Sequence, residues 1–410
     1  MYSKEKILAF EEQIQYIASL SENPSNITRR TYSEAWFSSL IYLSQKMKMY
    51  GMNVRVDGIG NLIGTYYPPS LKSEDDVAVV GMGSHIDSVV DAGAFDGVAG
   101  VVAALDVARQ IYEDGNLKAV FEVVAFAEEE GSRFGIGCLG SRYATGDILS
   151  QDIPPEIYLM SNSFNQRFQN NNIIKNNASE DIGWMKDRYS SFLEIHIEQG
   201  PILYEKSQTC ALVSGVVGIH RMEIAFLGQA NHAGTTQMRR RRDSLVMASE
   251  FICGCWDYGQ NQKNQVITNG KLINFPNEFN VVSGKSEVSV EIRGDDDDLL
   301  EQTVCHIRRF AKEIAKKYAG EVLIETLEQI PVRSFDKNLL KGLDISSGGS
   351  LPKCMSWADH DTKFVSYVAP AAMLFVPSKD GISHNPLEMS EASDLLKASE
   401  IVFRFFKERN

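Results

Sequence analysis

The 410-residue sequence predicts an α/β protein: a mixed, largely parallel sheet flanked by helices, with a smaller α+β sandwich domain inserted into it. Three observations predict this. Short apolar, β-branched runs alternate with helical patterns through the first half of the chain. Between 214 and 330 the order becomes β-α-β-β-α-β, as in a two-layer sandwich. The chain is also longer than one hydrophobic core ordinarily spans. The boundaries read from this pattern join 1–213 with 331–410 around an insertion at 214–330.

Helical patterns occupy about 3–20 and 33–50, followed by the hairpin-like VRVDGIGNLIGTYY. An apolar strand follows at 77–83, then a helix after Gly97 (VAGVVAALDVARQIYEDG) and the strand of VFEVVAFAEEE. The stretch SNSFNQRFQNNNIIKNNASED is polar and reads as a surface loop with some helix. SFLEIHIEQG begins another strand near 191. In the insertion, GVVGIHRMEIAFLG and SGKSEVSVEIRG read as long strands, with SLVMASEFICGCWDYG and LLEQTVCHIRRFAKEIAKKYAG as helices. The run Asp295–Asp298 opens the second of these helices, where negative charge is favoured; it lacks the alternating ligands and glycine of a calcium loop. After 330, AAMLFVPS resumes the sheet and SDLLKASEIVFRFFKER closes the chain as a helix.

A formal charge of −13 argues against a nucleic-acid partner, which needs a basic face. The one basic run, Arg239–Arg242, reads as a solvated or substrate-facing loop. The amino terminus has charges scattered through its apolar positions, unlike a signal peptide, and no run of about 18 apolar residues predicts a membrane span. Six dispersed cysteines without a CxxC pair fit reduced thiols in a cytoplasm.

The chemistry gathers at strand ends, where parallel α/β sheets collect functional groups. GSHIDSVVDAGAFDGVAG carries His85, Asp87 and Asp96; AEEEGSRFG carries Glu128 and Glu129; EIHIEQGP carries His196; GISHNPLE carries His384. Imidazole and carboxylate are the ligands that zinc, manganese, cobalt or nickel accept. Asp87, two residues past His85 in an extended segment, shares its face and is placed to orient the imidazole. Adjacent glutamates can diverge, one binding metal and one left as a base. A lone strand-end histidine is ordinarily structural; the series carries the reading.

The ordered motifs GSHIDSV, FDGVAGV, EEEGSRFG, GSR, EIHIEQGP, NHAGTT, EIR and GISHNPLE resemble the dinuclear-metal aminoacylase/carboxypeptidase superfamily nearly end to end. Within it, EIHIEQGP and GISHNP resemble the branch of N-carbamoyl-L-amino-acid hydrolases, β-ureidopropionases and allantoate amidohydrolases. The resemblance implies two divalent ions (Zn, Mn, Co or Ni), with Asp96 bridging, His85 and His196 on one, and Glu129 and His384 on the other. It implies Glu128 as the general base, His232 as the oxyanion donor, and Gln199, His232, Asn280 and Arg293 as contacts to a small ureido acid. It further implies a homodimer joined through the inserted domain.

Departures fall near the substrate. The family's HAGTTPM reads HAGTTQM, with Gln237 for proline, and SGAGHDA reads SWADHDT, with Trp357 and Asp359 for glycines beside His360. Asp359 and His360 are expected at the substrate's carboxylate end. Asp359 is expected to add negative charge there and to slow turnover of simple N-carbamoyl amino acids. The reading is an amidohydrolase of N-carbamoyl-L-amino acids. Its rivals are an allantoate amidohydrolase, an N-acyl amino acid hydrolase or peptidase, and a binding protein without turnover.

Overall fold

The strand Val120–Phe126 (VFEVVAF) is buried along its whole length, as expected of a strand covered on both faces. The computed structural model, which describes residues 2–71, 77–171 and 182–409, places it in a mixed sheet. The centre of that sheet is parallel. Val120–Phe126 pairs with Val79–His85, which pairs with Tyr189–Ile197, which pairs with Ala371–Val376. Antiparallel strands flank this centre: Leu62–Tyr66, itself half of the hairpin with Asn53–Val56, on one side and Ala211–Val216 on the other. Helices Val98–Asp114 and Ala392–Arg409 pack together against the sheet. Ile63, Val124, Phe126 and Phe192 share a further core cluster with Ala144, Met185, Val365 and Ala369.

One carboxylate breaks the apolar pattern. Glu122 is fully buried, and it accepts hydrogen bonds from Arg55, Arg188, Thr65 and Tyr189. Burial opposes its charge, but the two guanidiniums outweigh burial and hold the carboxyl down at about 2.

The parallel register puts the functional segments at one edge. His85 lies opposite Phe126 and His196 opposite Phe375, each at or next to its strand's carboxyl end. Glu128–Glu130 follow Phe126 directly, and Ser378–His384 follow Val376.

The chain divides into two compact units, Met1–Gly215 with Phe335–Asn410, and Val216–Ser334. In the second, Gly218–Leu227, Lys285–Gly294 and Glu321–Ile330 form an antiparallel sheet with two shorter strands. Met222, Ile224 and Phe226 alternate onto one face, where helices Ser244–Gln260 and Asp297–Lys317 cover them. The other face carries ion pairs such as Arg221–Glu291 and Lys271–Glu223. Asp296 caps the second helix by accepting from Leu299 N, with Asp297 and Asp298 in its first turn. Of the asparagine-rich stretch, the first part lies in helix Pro155–Asn170, and 172–181 lie outside the described residues. No helix among the described residues is long and apolar enough to cross a membrane.

Candidate metal centre and active site

Asp96 sits at the centre of the site, just before the helix Val98–Asp114. The turn into that helix needs Gly97, whose φ is +64° and whose side a Cβ would bring within 2.4 Å of the His85 ring. Asp96 Oδ1 lies 3.2 Å from His196 Nε2 and 3.7 Å from His85 Nε2. Its other oxygen, Oδ2, lies 3.1 Å from His384 Nε2, which in turn is 3.5 Å from Glu130 Oε2. Two candidate ligand groups therefore share Asp96: His85–Asp96–His196 and Asp96–Glu130–His384.

Backbone carbonyls fix the rings. His85 Nδ1 faces the Asp87 carbonyl at 3.1 Å, and His196 Nδ1 faces the Ile197 carbonyl at 2.9 Å. A carbonyl only accepts, so each neutral ring carries its proton on Nδ1 and presents an Nε2 lone pair toward Asp96. The Asp87 carboxylate, expected to orient His85, stands 3.7 Å from that ring and instead accepts from Glu129 N and Glu130 N, at 3.1 Å each. Asp87 thus orients His85 with its main chain and the acid loop with its side chain.

The acid loop departs from the expected division of labour by one residue. Glu128 belongs to neither candidate ligand group: its Oε1 accepts from Arg133 N and Phe134 N, both at 2.9 Å. Glu129 Oε2 lies 3.6 Å from His85 Nε2, its Oε1 accepts from the Cys138 thiol, and Glu130 is the acid that meets His384. The cause is backbone geometry that no residue pattern announces. Glu128 adopts a left-handed φ of 56°, and the carbonyls of Ala127, Glu128 and Glu129 accept from Gly140, Leu139 and Cys138. That crossing needs Gly140, since a Cβ there would sit 2.6 Å from the Ala127 carbonyl oxygen.

The site concentrates negative charge. Burial, then Glu130 and Asp361, hold Glu129 well above the ordinary carboxylate range, while burial and Asp96 push Glu130 up to about 8. Burial also opposes charge on Asp96, yet the His196 and His384 imidazoles beside it outweigh burial and hold this carboxyl well below the usual range. Burial pushes His85 down to about 4; for His196 the Asp96 carboxylate overcomes burial and raises the ring to about 9.

The remaining expected contacts divide. Gln199 reaches the site, donating to Asp96 Oδ2 at 2.9 Å. His360 is 1% exposed, bonded to Ser356 Oγ at 2.8 Å and edge-on to His196 at 4.5 Å between ring centroids. It therefore packs behind a candidate ligand, buried away from the surface. Asp359 is not an uncompensated charge: Lys363, itself buried, donates to it from four residues on. The second unit brings His232 and Asn280 together. Val281 pairs with His232, and Ala233 N donates to the Asn280 carbonyl at 2.9 Å. His232 Nδ1 accepts from Gly234 N at 3.0 Å, so the neutral ring carries its proton on Nε2. Arg293 is paired with Glu291 at 2.8 Å. Sequence reasoning missed Glu130, Lys363 and the buried Glu388, which accepts from Phe95 N and Asp96 N. The third glutamate of AEEEG was the available signal for the first of these.

A family model described as peptidase family M20/M25/M40 matches residues 81–408. The chain belongs to that family. Among M20-type relatives, the N-carbamoyl-L-amino-acid amidohydrolase of Pseudomonas sp. (strain NS671) is 31% identical over 422 residues, covering 98% of this chain and 97% of that protein. The allantoate amidohydrolase of Escherichia coli (strain K12) is 32% identical over 407 residues, covering 94% of each. The crystal structure of a hydantoinase/carbamoylase family amidase from Burkholderia multivorans aligns with a TM-score of 0.86 at 27% identity, covering 98% of this chain and 97% of that one.

Proposed function

We propose that this M20 family member is a two-metal amidohydrolase that cleaves the ureido C–N bond of an N-carbamoyl-L-amino acid or a related ureido acid. The observation that carries it is Asp96, which presents one oxygen to His85 and His196 and the other to His384 beside Glu130. The donor set fits divalent cations. Buried Glu130 Oε1 and His196 Nε2 make no aligned hydrogen bond, and several carboxylates converge whose mutual repulsion a cation relieves. His85, His196 and Asp96 would hold one ion, and Glu130, His384 and Asp96 the other. Imidazole and carboxylate admit zinc, manganese, cobalt or nickel. Two such ions, when bound, acidify water and polarise a carbonyl.

The chain's own residues supply the rest. Glu129, unlike Glu128, faces the imidazoles, and it takes the proton of the attacking water and hands it to the departing nitrogen. The Nε2–H of His232 has the chemistry of an oxyanion donor, and Asn280 and Arg293 have that of carboxylate receivers, the roles that the family resemblance gives them. Gln199 steadies the bridging carboxylate and borders the substrate. Allantoate is the second reading, supported by the relative from Escherichia coli at similar identity. A cytoplasmic setting accords with the dispersed cysteines.

The test is a panel on metal-stripped protein reconstituted with each ion: N-carbamoyl-L-amino acids, allantoate, N-acetyl amino acids and dipeptides. Turnover of a ureido acid only after reconstitution is the expected result. Hydrolysis confined to N-acetyl amino acids or dipeptides would sink the ureido reading.

We also propose a homodimer joined through the second unit. Glu321–Ile330 ends its sheet, paired on one side only with Gly218–Leu227, and it exposes Leu323 and Leu327. Such an edge invites a second copy. Light scattering should show a dimer that Leu323→Lys with Leu327→Lys converts to monomer; a monomeric parent protein removes the proposal.

A further inference from the structure

A buried carboxylate beside the candidate ligands has no place in the chemistry above. Glu388 is 5% exposed and four residues beyond His384. Its Oε1 accepts from Phe95 N at 2.8 Å and Asp96 N at 3.0 Å, so it grips the main chain of the bridging residue. Its Oε2 accepts from Ser383 Oγ at 2.8 Å. Ser383 Oγ also lies 3.2 Å from Asp96 Oδ2, the oxygen that faces His384. The approach is close enough that a Cβ at Gly93 would fall 2.3 Å from the Glu388 side chain.

The hydroxyl has one proton and two carboxylates competing for it. Asp96 Oδ2 already accepts from Gln199 Nε2 at 2.9 Å, so when the Ser383 proton goes to Glu388 one lone pair stays open, and when it goes to Asp96 that one too is occupied. From this geometry we infer that Glu388 is a positioning residue for the second ion. It fixes the Asp96 main chain and draws the Ser383 proton away from the oxygen that this ion needs. The inference rests on the two-metal reading.

Glutamine at 388 separates the two actions. The fixed N–H groups of Phe95 and Asp96 demand the amide oxygen, which leaves the NH2 facing Ser383. As a donor, that NH2 turns the hydroxyl proton onto Asp96 Oδ2. Glu388→Gln should therefore weaken the second ion by about ten- to a hundred-fold, the usual cost of losing a group that orients a ligand. Ser383→Ala added to Glu388→Gln removes the misdirected proton and should restore much of that affinity. A purely structural Glu388 predicts that the second substitution adds to the loss.

The experiment titrates the metal-stripped full-length protein with Co2+, followed by calorimetry and by the visible absorption of the bound ion. Expected are two ions per chain in the parent, a selectively weakened second ion in Glu388→Gln, and recovery in the double variant. A second ion bound as tightly in Glu388→Gln as in the parent overturns the inference, and so does a double variant no better than the single one. Fewer than two ions in the parent would instead overturn the two-metal reading, and this inference with it.

Discussion

Glu129→Gln is expected to lower kcat by about a hundred- to ten-thousand-fold while both ions stay bound, the range ordinarily lost with a positioned general base. Glu130→Gln should behave differently and release one of the two ions, because Glu130 is the acid within 3.5 Å of His384. Glu128→Gln should keep both ions and most of the activity, since an amide oxygen can still accept from Arg133 N and Phe134 N. Elemental analysis beside steady-state kinetics separates the three. An ion lost from Glu129→Gln but kept in Glu130→Gln would return the roles to the pair Glu128 and Glu129.

The second large effect concerns the altered segment SWADHDT. Asp359→Gly should destabilise the protein by about 3 kcal/mol, because it strands a charged lysine away from water. The Lys363 side chain is 1% exposed, whereas that of Asp359 is 34% exposed, which keeps the estimate at the low end of the range for broken buried pairs. Asp359→Ala combined with Lys363→Met removes both charges and should recover most of the loss. Urea unfolding of the three proteins measures it, and a single variant as stable as the parent would show that Lys363 reaches water or another anion. The pair also changes the expectation for activity. With Lys363 neutralising it, Asp359 supplies no net repulsion to a substrate carboxylate, so the poor turnover expected from its charge loses its physical basis.

Asp359 and the acid pair depart from expectation for one reason. Asp359 reads as an added negative charge because a sequence shows no counter-ion; the counter-ion is four residues on, inside the short helix Asp361–Val365 that Asp359 precedes. The pair is discoverable only once the chain is known to turn into that helix just after Asp359. Glu128 and Glu129 were assigned by adjacency. The turn that decides which acid faces His384 depends on a left-handed Glu128, on the Glu129 and Glu130 N–H groups donating to the Asp87 carboxylate, and on N–H groups donated by residues 138–140.

The sequence by itself determined the class of fold, and it supplied His85, Asp96, His196 and His384 as the candidates for one centre. Periodicity and chemical type are local properties, and parallel strands necessarily deliver their carboxyl ends to one edge. Only the tertiary structure decided which glutamate meets His384, that the Asp87 side chain holds the acid loop while its carbonyl holds the imidazole, and that His360 packs against His196. It alone showed Glu388 gripping the main chain of Asp96 from 292 residues away. Each of these depends on where a hydrogen-bonding direction points, and a direction is set by backbone that distant segments have fixed in place.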